Sequence, residues 1–231
     1  MNIVIIQADY SSCNKGGSLE NFKYMTKVKD EYLIERIIRI GRINGLRKVY
    51  CVINSHQPEL KHYLSTQNFG IPLELISVDR GSFIHGLFAL IPFLTNETFF
   101  LINTESVFIE SEFSEFVTYS LLQEDVDGVL AITRYNDDEK PLCVAMNEED
   151  IILKFSDSKE GYSWATGGIY YFSTKIFNDM KNSFQFSESG LREFLRFLID
   201  RGYILKGFSF SKIINIKYAT DIAKVEDLIT R

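Results

Sequence analysis

Cysteine and histidine are scarce in this sequence, and their placement removes several classes of protein. The chain has three cysteines, Cys13, Cys51 and Cys143, and no two of them have the spacing of zinc ligands. A disulfide framework and a structural zinc site are therefore not indicated. Cys51 and Cys143 lie inside apolar runs and are most simply small core residues. The three histidines show no pattern typical of a nucleophile or a metal site.

Long apolar runs and an excess of positive charge are also missing. The first apolar run, residues 3–6, is far too short for a signal peptide, and no stretch approaches a membrane span. The formal net charge of -6 argues against broad binding of nucleic acid or of an anionic membrane. We therefore expect a cytoplasmic protein in a reducing compartment, without a nucleic-acid or membrane partner.

No linker, internal repeat or low-complexity segment interrupts the chain. Its 231 residues suit one large domain, and a hydrophobic content of 45% with 14% aromatic residues supports a large core. A chain of this length can bury about 70% of its unfolded surface, so it needs no disulfide or structural metal. We predict a single domain spanning residues 1–231.

Apolar runs alternate with helical patterns through the first half of the chain. Buried strands are predicted at residues 3–6, 49–53, 73–78 and 99–103. Helices are predicted between them, at residues 32–46, 57–67 and 81–94. This order indicates a parallel sheet with helices on both faces.

The second half has shorter runs, separated by polar residues and glycine. The predicted strands cover residues 128–134, 142–146, 151–155, 168–172, 203–210 and 213–216, with hairpins and mixed pairing. Helices are predicted at residues 112–122, from an N-cap at Ser187 to about Arg201, and from about Ala223. The predicted fold class is thus α/β, a three-layer domain with a mixed, mainly parallel central sheet.

Ligands of such folds bind beyond the carboxyl ends of the parallel strands. The segments that we expect there are the loop 7–17, the turn Gly81-Ser82, the strand end Asn103-Thr104-Glu105, the pair Gly167-Gly168, and Asp221. The sequence alone does not establish that the last two join the others, because their placement depends on tertiary pairing.

Taken in order, these segments resemble the nucleotidyltransferases that make nucleotide sugars from a nucleoside triphosphate and a sugar 1-phosphate. That family opens with a strand, then L-A-A-G-x-G-x-R, then K-P-K-P-M-x-x-V-x-G-K-P-L-I-E. The second motif is matched in register by Lys23, Met25, Lys27, Val28, Leu33, Ile34 and Glu35. The family's N-G-D, G-T, a-G-i-Y-v-f and D-I-x-T-x-E-D-L appear as Asn103-Thr104-Glu105, Gly81-Ser82, residues 167–172 and residues 221–228.

The resemblance implies transfer of a nucleotidyl group from an NTP to a sugar 1-phosphate or similar phosphorylated alcohol, with release of pyrophosphate. Lys23 would be the catalytic, phosphate-contacting lysine, and Glu105 and Asp221 would hold Mg²⁺. Residues 1–110 would form the nucleotide-binding half and residues 111–231 the sugar or acceptor half, and a homo-oligomer is compatible with this organisation. The substrate-binding residues would be Gln7, Ala8, Asp9, Lys15, Gly81, Ser82, Asn103, Gly167 and Gly168.

The first loop departs from the family pattern. Asp9 and Ser11 stand where the family has two glycines, and Cys13 stands where it has an arginine. Loss of an arginine–phosphate contact costs about 2–4 kcal/mol of transition-state stabilisation, or roughly 30- to 1000-fold in rate. Glu105 replaces an aspartate and is one methylene longer. These departures predict a slow enzyme.

Two other functions remain open from the sequence. The first is a nucleotide or nucleotide-sugar binding or regulatory module that has lost catalysis, and the second is a GT-A-type glycosyltransferase. The D-x-D tripeptide at residues 125–127 precedes a predicted strand, so we interpret it as a solvated turn. Structural roles are also open for the two acids, since Glu105 could be a solvated strand-end residue and Asp221 the N-cap of the last helix.

Overall fold

The computed structural model describes residues 1–7, 26–79, 83–94, 97–135, 138–180, 190–217 and 220–229. Within these ranges the strands are β1 (Asn2–Gln7), β2 (Lys27–Val28), β3 (Glu31–Tyr32), β4 (Lys48–Asn54), β5 (Leu73–Val78), β6 (Phe99–Ile102), β7 (Ser106–Phe108), β8 (Gly128–Thr133), β9 (Cys143–Met146), β10 (Ile152–Ser156), β11 (Trp164–Phe172), β12 (Leu205–Phe210) and β13 (Ile213–Asn215). The helices are α1 (Leu33–Ile43), α2 (Pro58–Thr66), α3 (Phe83–Leu90), α4 (Glu110–Leu121), α5 (Phe177–Met180), α6 (Leu191–Asp200) and α7 (Thr220–Ile229).

Four parallel strands from the first half form one side of the main sheet. Strand β1 pairs with β4 and β6, and β5 extends the sheet beyond β4. The side chains of β1, β4 and β6 are almost all buried, as expected for strands covered on both faces. The parallel arrangement predicted from the sequence is confirmed.

Strand β11 joins the two halves of the chain in one mixed sheet. It pairs antiparallel with β6 on one side and with β8 on the other, so β6 and β8 run in the same direction. The register between β11 and β8 shifts between Thr166 and Tyr170. Strand β12 continues the sheet parallel to β8, and β9 and β10 form an antiparallel extension. The mixed sheet of the predicted fold class is therefore also confirmed.

Helices cover both faces of this sheet, as the alternation of side chains along a strand requires. Ile3 and Ile5 of β1 belong to a core on one face with residues of α1, α2 and α4. Val4 points to the opposite face, into a core shared with α3, α5 and α6. These two cores give the three layers expected from the sequence.

A third apolar cluster fixes the last helix beside the end of β6. Strands β7 and β13 pair antiparallel, and Val107 and Ile214 from these strands pack with Val225 and Leu228 of α7. Strand β7 follows β6 after a three-residue turn, so this cluster brings the start of α7 to the carboxyl edge of the sheet. The sequence pattern did not predict β7, because three buried residues are too few to show a period.

The predicted starts of the last two helices, α6 and α7, differ from those observed. The helix predicted from Ser187 begins at Leu191, and Ser187 itself lies outside the described residues. The backbone N–H of Gly190 donates to the Glu193 carboxylate at 3.0 Å, which holds the first turn of this helix. The last helix starts at Thr220, three residues earlier than predicted, so Asp221 is in its first turn. None of the helices in the described ranges is long and apolar enough to cross a membrane.

Candidate functional site

A cleft of about 240 Å³ lies beyond the carboxyl end of β8. Its walls come from the end of β8, the start of β11, strand β13 and the first turns of α7. Since β6 runs parallel to β8, the cleft lies at the edge of the sheet where ligands bind in open α/β folds. We call it the carboxyl-edge cleft.

Asn103 and Gly168 join β6 to β11 next to this cleft. The backbone N–H of Asn103 donates to the carbonyl oxygen of Gly168 at 2.9 Å. Gly168 has φ +80°, and a Cβ atom there would lie less than 3.0 Å from Ser106 Oγ and 3.0 Å from Asn103 Nδ2. Both the backbone angle and the close packing therefore require glycine at this position.

Gly167 allows a second close approach, on the wall of the cleft. A Cβ atom on this residue would lie less than 3.0 Å from Cδ1 of Ile213 in β13. The absence of a side chain thus lets β13 pack directly on β11 while the backbone of Gly167 faces the cleft. Of the pair Gly167-Gly168, expected from the sequence to join the site, Gly167 lines the cleft and Gly168 follows it in β11; their role in binding remains a prediction.

Glu105 lies in the turn that connects β6 to β7. The N–H of Ser106 donates to the carbonyl of Asn103 at 3.1 Å and closes this turn. The Glu105 carbonyl accepts a 2.9 Å hydrogen bond from the N–H of Ile216, just beyond β13. In the next pair along these strands, Ser106 Oγ donates to Asn215 Oδ1 at 2.8 Å. These bonds hold the Glu105 backbone against the segment that leads into α7.

Asp221 is a buried acid at the start of α7, with a relative exposure of 8%. Its Oδ2 accepts a hydrogen bond from the backbone N–H of Lys217 at 3.1 Å. Its Oδ1 lies 3.1 Å from Nζ of Lys224, one turn further along the helix. The carboxylate therefore ties the preceding loop to the helix from within the first turn, whereas an N-cap residue would stand before it.

Lys217 forms a second ion pair in the cleft, with Asp138. Burial of the Asp138 carboxyl opposes ionisation, but hydrogen bonds from the Lys217 ammonium and the Lys140 N–H outweigh burial. The pKa of Asp138 is consequently held below its usual value. Asp138 is therefore negatively charged at neutral pH, and both cleft lysines have a carboxylate partner.

The same architecture occurs in solved structures of several transferases. The inositol-1-phosphate CTP transferase from T. maritima is similar to this chain with a TM-score of 0.77 and 20% identity, over 99% of this chain and 98% of that one. A Bacillus anthracis structure assigned as a glucose-1-phosphate thymidylyltransferase, in complex with sucrose, has a TM-score of 0.80 and 17% identity, over 99% and 95% of the two chains. A UDP-glucose pyrophosphorylase complexed with UDP-glucose has a TM-score of 0.75 and 13% identity, over 98% and 97%.

The chain has the fold of the sugar-phosphate nucleotidyltransferases. The similarity extends over nearly the full length of each chain, so it covers both halves of the mixed sheet. No family model matches the sequence, and no curated protein matches it. At 13–20% identity these proteins share the nucleotidyltransferase fold, and this similarity does not assign a role to any single residue of the site.

Several residues that the resemblance implicates lie outside the described residues, and their placement remains a prediction. They are Lys23, Ala8, Asp9, Lys15, Gly81 and Ser82. Gln7 ends β1, where its backbone pairs in register with Ile53 of β4. Because β1 runs parallel to β6, Gln7 lies at the same edge of the sheet as Asn103.

Glu105 and Asp221 are the candidate ligands for the Mg²⁺ that the resemblance implies. No group of three or more His, Cys, Asp or Glu side chains in the described ranges could hold a metal ion. Mg²⁺ commonly takes one or two carboxylates and completes its shell with phosphate oxygens and water. Two carboxylates fit such an ion in type and number. The Ile216–Glu105 hydrogen bond joins the turn that carries Glu105 to the residue after β13, shortly before Asp221. The Lys224 ammonium pairs with Asp221 in this structure.

The structure adds cleft residues that the sequence did not single out. They include Thr133, Tyr135, Asp138, Asn215, Lys217 and Lys224. Only Lys224 carried a usable signal, because it stands in the D-I-x-T-x-E-D-L segment where the family motif has threonine. The others are brought to the cleft by tertiary pairing, as when Lys217 meets Asp138 79 positions away in the chain.

The D-x-D tripeptide is at the other end of β8, away from the cleft. The N–H of Asp127 donates to the Ile204 carbonyl at 2.8 Å, and its Oδ2 accepts from the Ile204 N–H at 2.9 Å. Asp127 thus fixes the start of β12. Its position does not favour the glycosyltransferase alternative, whose metal site needs these acids at the carboxyl edge.

Proposed function

We propose that the protein transfers a nucleotidyl group from an NTP to a sugar 1-phosphate or a similar phosphorylated alcohol, releasing pyrophosphate. An oxygen of the acceptor phosphate would attack the α-phosphorus, and the bond from that phosphorus to the pyrophosphate oxygen would break. Such a reaction depends on positioning and on neutralisation of phosphate charge. Nucleoside triphosphates and sugar phosphates are metabolites of the cytoplasm, where we place the reaction.

One arrangement carries this proposal. Asn103, Gly168 and Asp221 follow one another along the chain in the order of the family motifs, and the hydrogen bond from the Asn103 N–H to the Gly168 carbonyl supports a shared site at the end of β6. The glycine is required there on steric grounds, because a side chain would overlap Ser106, and the backbone of the neighbouring Gly167 lines the cleft. A backbone without side chains lets a ligand approach its N–H and C=O groups closely.

The chain's own residues suit a phosphorylated acceptor with hydroxyl groups. Lys217 and Lys224 place two ammonium groups in the carboxyl-edge cleft beside the carboxylates of Asp138, Glu139 and Asp221. Asn215 and Thr133 supply uncharged hydrogen-bonding groups. Lys23 would add a cation on the nucleotide side, as the resemblance implies. Glu105 and Asp221 would hold Mg²⁺, which when bound would neutralise charge developing on the phosphate oxygens.

The direct test is release of pyrophosphate. The purified protein would be incubated with Mg²⁺, each of the common NTPs, and a panel of sugar 1-phosphates and phosphorylated alcohols, with pyrophosphate detected by a coupled assay. We expect slow release with at least one pair, and a loss of at least about a hundredfold in Asp221→Asn. Asp227→Asn, an exposed acid on the same helix, is the matched control and should retain activity.

A second candidate is a binding module of the same fold without turnover. The substitutions Asp9, Ser11 and Cys13 in the first loop favour it, because they remove the glycines and the arginine expected to bind a triphosphate. Under this alternative a nucleotide or nucleotide sugar would raise the melting temperature while no pair yields pyrophosphate. Detected turnover that depends on Asp221 would exclude it.

A further inference from the structure

The two oxygens of the Asp221 carboxylate have different kinds of partner. Oδ2 accepts a hydrogen bond from the backbone N–H of Lys217 at 3.1 Å. Oδ1 instead faces the ammonium of Lys224 at 3.1 Å. The Lys224 side chain is 46% exposed while that of Asp221 is 11% exposed, so the carboxylate is fixed and the lysine can change rotamer.

This pairing places a monovalent cation on one of the two carboxylate oxygens that a divalent ion could use. A lysine ammonium and a divalent ion cannot share one side of a carboxylate oxygen without strong repulsion, since both are positive and would lie within a few ångströms of each other. Binding of the ion at Asp221 thus requires Lys224 to leave. The four-carbon stem of lysine allows such a movement without a change in the helix.

We propose that Lys224 is a competing cation built into the site: it neutralises Asp221 before substrate binds and yields Oδ1 to the divalent ion when nucleotide arrives. This inference rests on the proposed function, because that function supplies the ion and the phosphates. Once displaced, the ammonium remains in the carboxyl-edge cleft, where a substrate phosphate would be a further anion beside the carboxylates of Asp138 and Glu139. Lys224 therefore keeps the affinity of the free protein for divalent ions low and makes binding of the ion depend on the phosphorylated ligand.

Lys217 offers a matched control for this idea. Its ammonium lines the same cleft but pairs with Asp138, while its backbone N–H donates to Asp221. Replacing the Lys217 side chain removes one positive charge from the cleft and leaves both Asp221 contacts in place. If the lysines act only through the overall charge of the cleft, both variants should gain the same affinity for a divalent ion. If Lys224 competes directly for Asp221, only the Lys224 variant should gain affinity.

The experiment is a titration of the full chain with Mn²⁺, followed by electron paramagnetic resonance of the free ion, without nucleotide. We expect Lys224→Met to bind Mn²⁺ about tenfold more tightly than the wild type. Lys217→Met should change the affinity by no more than about twofold, because its charge is partly screened and is already paired. Lys224→Arg should stay near the wild-type value, and Lys224→Met/Asp221→Asn should lose the gained affinity.

Four results would overturn the proposal. These are equal Mn²⁺ affinity in the wild type and Lys224→Met, an equal gain in both lysine variants, a gain that survives in the double variant, and no measurable binding in Lys224→Met. Circular dichroism of each variant would establish that it is folded. The Mn²⁺ affinities do not depend on turnover. Failure to release pyrophosphate would therefore contradict the proposed reaction and leave the comparison of Mn²⁺ affinities unchanged.

Discussion

A Cβ atom on Gly168 would collide with Ser106 Oγ, less than 3.0 Å away. The serine cannot simply turn aside, because its hydroxyl donates to Asn215 Oδ1 at 2.8 Å and so links β7 to β13. The same glycine carbonyl accepts the hydrogen bond from Asn103 at the end of β6. One small residue therefore connects three strands at the edge where we place the substrates.

Replacement of Gly168 by alanine is expected to destabilise the protein by roughly 2–4 kcal/mol, from backbone strain at positive φ plus the collision. Gly161 has φ +79° with no atom within 4 Å of its virtual Cβ, so Gly161→Ala isolates the strain alone. That control should cost only about 1–2 kcal/mol. Urea unfolding of both variants provides the comparison, and equal losses would show that the packing at Gly168 is not tight.

Alanine at Gly167 should be destabilising for a different reason, namely overpacking against Ile213. We expect a loss of about 1–3 kcal/mol. Ile213→Val removes the Cδ1 atom that the new methyl group would meet, so the double variant should be more stable than the sum of the two single losses predicts. Strict additivity in the double-mutant cycle would contradict the contact.

The Asp138–Lys217 pair predicts a specific dependence of stability on pH. The pKa of Asp138 is lowered in the folded chain, so its stabilisation is present above its ordinary pKa of 3.8 and is lost as the pH falls through the lower, folded value. Asp138→Asn should therefore cost only about 0.5–1 kcal/mol at pH 7, because the Lys217 side chain is 40% exposed and solvent screens the pair. Below about pH 3.8 the difference between wild type and variant should shrink.

Chemical unfolding at pH 7 and at a series of lower pH values measures this dependence. Asp227→Asn serves as the control for removal of an exposed carboxylate. A difference between wild type and Asp138→Asn that stays constant with pH would mean that the loss does not arise from the charged form of Asp138.

Cys51 should resist thiol reagents in the native protein. It is fully buried in β4, and burial raises the pKa of its thiol to about 12, so almost no reactive thiolate forms near neutral pH. Iodoacetamide at pH 8 should leave Cys51 unmodified for hours, as judged by mass spectrometry of its peptide, and should modify it at once in guanidinium chloride. Rapid native modification would show that β4 opens locally.

The strands of the parallel core could be predicted because their burial is continuous along the sequence. Residues 49–53 and 99–102 are apolar throughout, and such runs bounded by polar residues leave few alternatives. The hairpin β2–β3 and strand β7 escaped prediction, since each strand has only two or three residues and is held by its partner. Their existence depends on tertiary contacts that no local pattern records.

The predicted site residues remain a prediction, and the contacts that the described ones make could not be predicted from the sequence. The order of the motifs located Asn103, Gly168 and Asp221, which the fold brings to one edge. The pairing of Asp221 with Lys224 depends on the observed start of α7 at Thr220, three residues before the predicted start. Because the helix already includes Asp221, Lys224 lies one helical turn after that residue. The N-cap interpretation was therefore wrong in its geometry, although the acid does bind the backbone next to the helix.

The position of β11 in the sheet determines how the chain can be divided. This strand comes from the second half, yet it hydrogen-bonds β6 of the first half and β8 of its own. A cut between residues 110 and 111 would expose an unpaired strand edge on both fragments, and such edges pair readily with any complementary strand. Separately expressed fragments should therefore be insoluble alone and reassemble when produced together, which makes this junction suited to a split reporter of association.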